Sequence, residues 1–152
     1  MKIANLRPFL VVGVMVLLVA CSSTATVVRP SPDSFEFSVQ DNPRDLRFEL
    51  ALKSNDSRAI CLAVEDWPSE EGALVVQRDD VAVKTSGGVL PAESELLSTY
   101  CPGGCGVKRI EPRGMLRGSI SYEVFGSPQQ LAQDLDKKLL FTVNPYYCSP
   151  SR

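Results

Sequence analysis

The sequence predicts an all-β domain, a sandwich or barrel of seven or eight short antiparallel strands with one short helix. Three observations predict it. Apolar and polar residues alternate with a period of two over several short runs. Clusters of Asn, Asp, Pro, Gly and Ser separate those runs at regular intervals. Only one segment, 127–138, carries the start signals of a helix.

The elements follow in order. Phe35, Phe37 and Val39 alternate with Glu36, Ser38 and Gln40 as a first strand, which "DNPRD" breaks. Leu46, Phe48, Leu50 and Leu52 alternate with Arg47, Glu49 and Ala51, the clearest half-buried strand of the chain. "KSNDSR" is a turn, and "AICLAV" at 59–64 is an apolar strand. "EDWPSEEG" reads as a loop. "ALVVQ" and "VAVK" flank Arg78, Asp79 and Asp80 as a hairpin. "VKRIE" and "LRGSISYEVF" are two further strands, the second with Leu116, Gly118, Ile120, Tyr122 and Val124 on one face. In "SPQQLAQDLDKK", Ser127 suits the cap, Pro128 the first helical position and Gln130 a capping box. "LLFTVNPYYC" is the last strand. The longest irregular region is 85–106, in which "PAESELL" suits a helical turn.

The N-terminus is an address. Residues 1–7 carry Lys2 and Arg7 and no acid, and 9–20 are an apolar run broken only by Gly13. The run is too short for a membrane-spanning helix, which needs about 20 residues, and suits a secretory signal. It closes with Leu18, Val19, Ala20 and Cys21. This resembles the lipobox of bacterial lipoproteins. The resemblance implies that the Cys21 thiol accepts a diacylglyceryl group, that a peptidase cuts after Ala20, and that the freed amine is acylated. Two or three chains, at about 0.8 kcal/mol per buried CH2, give stable attachment. Ser22, where an Asp would retain such a protein in the inner membrane, implies transfer to the outer membrane, facing the periplasm. The expected organisation is a signal peptide at 1–20, a lipidated Cys and tether rich in Ser, Thr and Pro at 21–34, and one β domain at 35–152.

Composition narrows the function. There is no His, which removes Ser-His-Asp and Cys-His catalysis, His metal ligands and the usual general base near neutral pH. Loss of the signal leaves 14 basic against 18 acidic residues, a formal charge of −4. Such a surface gives no reason to expect a nucleic-acid partner. No S-x-x-K or G-x-S-x-G occurs, so the expectation is a non-enzymatic protein without a cofactor.

With Cys21 lipidated, Cys61, Cys101, Cys105 and Cys148 remain, an even number that reads as two disulfides in an exported chain. Three pairings are possible. Cys101–Cys105 is favoured because two of its three intervening residues are Gly, which leaves Cys61–Cys148. The C-x3-C spacing suits neither a zinc ribbon nor a C-x-x-C redox motif. In the 85–106 loop, Leu96, Leu97 and Tyr100 are candidate partner contacts, stiffened by the nearby disulfide. Trp67 is another candidate, with core packing as its plainer role. Asp79 and Asp80, with Asp66 or Glu70, could supply calcium oxygens, but no ligand loop is present and a turn accounts for the pair.

"IEPRGMLRGSISYEVF" resembles the later strands of small immunoglobulin-like sandwiches in bacterial envelope proteins. The antibody pattern itself is not met, because Trp67 follows Cys61 by only six residues. The chain as a whole resembles small envelope lipoproteins with such a domain. The resemblance implies an interaction or structural module in the periplasm with an envelope protein as partner; an inhibitor of an envelope or host hydrolase, acting through the disulfide-closed loop, is the second expectation. Cys21→Ala is expected to abolish metabolic lipid labelling and to leave the uncleaved precursor on a gel; a labelled, processed mutant would refute the lipobox.

Overall fold

The computed structural model describes residues 27–75, 78–94 and 106–149. Among them are nine strands in three antiparallel sheets of three. The first sheet has the order β1-β2-β7, with β1 Phe35–Asn42, β2 Arg47–Ser54 and β7 Met115–Ser121. The second is β6-β3-β9, with β3 Ile60–Ala63, β6 Val107–Ile110 and β9 Tyr146–Tyr147. The third is β5-β4-β8, with β4 Ala82–Thr85, β5 Gly88–Pro91 and β8 Lys138–Leu140. One short helix, α1, spans Pro128–Gln133.

The period-two pattern of β2 dictates the core. Phe48, Leu50 and Leu52 point inward, opposite Asp41, Val39 and Phe37 of β1 and opposite Ile120, Gly118 and Leu116 of β7. Ile60 and Leu62 of β3, Val83 of β4, Leu139 of β8 and Leu131 of α1 close over that face. Burying each such aliphatic side chain stabilises the fold by about 1.5–3 kcal/mol.

Gly118 opens a gap in this face that Trp67 fills. A Cβ at position 118 would lie 2.6 Å from the indole Nε1. Trp67 is only 2% exposed and stands edge-on to Phe37 and Phe141, with ring centroids 6.4 and 6.2 Å away. It is therefore a core residue and not a surface contact for a partner: the flat gap over glycine and the two rings bury more of its large apolar surface than any exposed position would.

Four sequence expectations are altered by longer-range contacts. Residues 73–75 form no strand beside "VAVK". Ser69 N–H donates to the Ala73 carbonyl (2.9 Å) and its hydroxyl accepts from Ala73 N–H (3.2 Å), closing a loop that drops Leu74 into the core. The hairpin is instead β4–β5, with Thr85 opposite Gly88, so the stretch read as irregular contains a strand. "LLFTVNPYYC" is two strands in two sheets, interrupted near the buried Pro145, which has no N–H to donate. "LRGSISYEVF" leaves the sheet at Ser121, whose hydroxyl accepts from Glu123 N–H (3.2 Å) and starts a 3-10 turn over Tyr122–Phe125. Helix α1 begins where expected, at Pro128, but Ser127 contributes its carbonyl to Leu131 N–H (3.1 Å) and makes no side-chain cap.

Cys61 and Cys148 are bonded, 87 residues apart in sequence. Cys101, Cys105, Leu96, Leu97, Tyr100 and Cys21 lie outside the described residues. Gly118→Ala is expected to lower stability by about 1–3 kcal/mol, as overpacking does, measured by urea unfolding. Cys61→Ser with Cys148→Ser is expected to cost roughly 4–5 kcal/mol on the chain-entropy account, with a lower urea midpoint in the same assay.

Candidate functional site

Two ends of the β1-β2-β7 sheet carry the features with functional potential. At one end the N-terminal segment joins the domain. Tyr147 N–H donates to the Val28 carbonyl (2.9 Å), so 27–28 runs beside β9. Pro30 is buried, and Pro32–Ser34 forms a 3-10 turn leading directly into β1. Cys148 N–H donates to the Ala59 carbonyl (3.2 Å), next to the disulfide. The part of the expected tether from Val27 onward is thus built into the domain. The Tyr147 hydroxyl donates to Asp56 (2.6 Å), holding that carboxyl below the usual range and raising the phenol. The Arg58 guanidinium lies 3.6 Å from the Tyr147 ring centroid.

At the other end, β1 runs into the turn at 43–46 and β7 into the Tyr122–Phe125 turn. A buried lysine organises this end. Lys137 Nζ is 2.7 Å from Asp41 Oδ2 and donates to the Asp134 carbonyl (2.9 Å), with its side chain 1% exposed. The Tyr122 hydroxyl donates to the other oxygen of Asp41. Burial, together with the Asp41 bond and charge, pushes the Tyr122 phenol well above the ordinary tyrosine range. The charge is paired and Nζ has two oxygen partners, the condition under which a buried lysine is tolerated.

Around this end lie shallow clefts. One of about 320 Å³ is lined by three carboxylates, Glu71, Glu93 and Glu123, with Gly72, Ser94 and Ser121. Glu93 N–H donates to the Val124 carbonyl (2.8 Å) and Ser121 N–H to the Gly72 carbonyl (3.0 Å), so backbone bonds hold its walls. Gly72 has φ 84°, and a Cβ there would meet Ser121 N at 3.0 Å, so glycine is required for this approach. A second cleft, of about 510 Å³, separates the β4–β5 turn from α1. Asp134 bridges it, accepting from Ser86 N–H (2.8 Å) and hydroxyl (2.9 Å), and those bonds depress its carboxyl.

Asp80 and Asp66, two of the four acids that could supply calcium oxygens, are engaged by an arginine instead. The buried Arg78 donates to Asp80 (2.6 Å), lies 3.9 Å from Asp66 Oδ1, and donates to the carbonyls of Asp66 (2.9 Å) and Thr142 (2.8 Å). Arg78 holds Asp80 below the ordinary carboxylate range. Its Cζ lies over the Phe141 ring, 4.9 Å from the centroid. The sequence pattern gives Arg78 and Lys137 no role and Tyr147 only that of a core aromatic, as which it packs here. The doublet after Arg78 and the aspartates around Lys137 were the available signals, but each partner also comes from a remote strand or turn.

No protein-family model, curated protein or solved structure matches the chain.

Tyr122 gives a pH prediction. Its folded-state proton is held more tightly than in the unfolded chain, so its contribution is fully present below the ordinary tyrosine value of about 10 and is lost as pH rises beyond it. Stability measured by urea unfolding between pH 8 and 11 is expected to fall at the alkaline end, and Tyr122→Phe to flatten that fall while costing about 1–2 kcal/mol at pH 8.

Proposed function

We propose that this chain is a lipid-anchored, non-enzymatic envelope protein, held by acyl chains on Cys21 in the outer membrane and facing the periplasm. Its β domain serves as an interaction or structural module there. The observation that supports this reading is the joint at 27–34. The segment following the lipobox is fastened to β9 beside the one described disulfide, which gives an anchored domain a firm point of attachment. An oxidised Cys pair also accords with an exported chain. The immunoglobulin-like reading belongs here too. Short antiparallel strands around one shared core support it, although the disulfide joins neighbours within one sheet.

A second reading, inhibition of an envelope or host hydrolase, is favoured by one feature. The residues that lead into the 95–105 segment are held by backbone bonds on β4 and on the Tyr122–Phe125 turn, which gives that side of the segment a rigid footing.

Crosslinking the tagged lipoprotein in its own envelope is expected to recover one reproducible assembly, identified by mass spectrometry. Recovery of a single hydrolase, with loss of its activity on addition of the soluble domain, would replace the module by the inhibitor.

A further inference from the structure

We infer that the end of the domain bearing Val27, Val28, Arg29, Arg58 and Tyr147 lies against the phospholipid headgroups of the membrane that holds the anchor. The inference rests on the lipid-anchor reading above. Its premise is chain length. Val28 is already bonded to β9, so only the five residues 22–26 lie between Cys21 and Val27, six Cα-to-Cα steps. At 3.3–3.6 Å per residue, they can span at most about 20 Å. A domain on so short a leash cannot turn its far end to the bilayer: β1 alone, eight residues long, puts the 43–46 turn roughly 25 Å farther away.

The chemistry of the near end suits that position. Val27 and Val28 are 64% and 55% exposed although they sit in a docked segment. Arg29 and Arg58 are exposed and can meet phosphates, and the Tyr147 ring beneath Arg58 is an amphipathic group of the kind enriched at membrane interfaces. Acids at this end include Asp33, Asp56 and Glu111, the last paired with Arg109 at 2.7 Å. Asp56 is occupied by the Tyr147 hydroxyl and the Arg58 N–H. The patch is near neutral, so zwitterionic and anionic headgroups both fit. The three-carboxylate cleft is placed at the opposite end, away from the anionic surface.

The test uses the acylated protein purified from its envelope and reconstituted in phosphatidylethanolamine and phosphatidylglycerol vesicles with a nitroxide on a fraction of the headgroups. Val27→Trp and Val28→Trp report on the near end and Arg44→Trp, in the exposed 43–46 turn, on the far end; Trp67 is a constant buried background. The expected result is severalfold stronger quenching at 27 and 28 than at 44. Equal quenching at both ends, or none at 27 and 28 in vesicle-bound protein, overturns the inference and leaves the anchor intact. A protein whose intact mass shows no acyl chains and which does not float with vesicles overturns the anchor reading, and the inference with it.

Discussion

The bond between Cys61 and Cys148 is the constraint on which the placement of residues 27–34 and 146–149 depends. Strand β9 is two residues long and pairs only with β3, too little hydrogen bonding to persist unaided. The disulfide holds it in register at the central strand of its sheet. With β9 in place, Tyr147 can receive Val28 through its amide and Asp56 through its hydroxyl. Without it, the joint between the N-terminal segment and the domain loses its floor.

Two buried cations do for the irregular segments what the disulfide does for the strands. Arg78 ties the loop after β3, its own turn and the stretch after β8 through one guanidinium. Lys137 ties the end of α1 to the end of β1 and shares Asp41 with Tyr122. Neither pair is a strong source of net stability, because each cation is desolvated. Their effect is positioning: Arg78 spends four of its five donors on those three segments, which fixes how the segments lie around the guanidinium. The third sheet is thereby fixed against the first through polar contacts as well as through the apolar core.

The division of the molecule into a near end and a far end follows from the same arrangement. The N-terminal segment and the disulfide meet at the start of β1. The turns, the acidic cleft and the base of the 95–105 segment gather where β1 and β7 finish. On the lipid-anchor proposal, the carboxylates of Glu71, Glu93 and Glu123 lie at the end farthest from the membrane.

What could be read in the chain were features set by neighbours in sequence. The alternation in Phe35–Asn42 and Arg47–Ser54 determined strands and an inward face, because side chains in a strand alternate sides whatever packs on them. The Pro at 128 determined where α1 begins, and the even cysteines pointed to Cys61–Cys148. Contacts distant in sequence decided the rest. "ALVVQ" has a strand's composition, but Ser69 bonds Ala73 to close a loop there, and Leu74 is buried from it. "LLFTVNPYYC" has one strand's length, but its two halves meet different sheets. Trp67 suited a core more plainly than an interface from sequence, but only Gly118, 51 residues away, shows where it packs. Arg78 and Lys137 sit among acids that local reading treats as solvated turns. Their burial depends on which remote carbonyls and carboxylates arrive beside them, and the tertiary fold alone decides that, because desolvating a charge is tolerable only where all its partners converge.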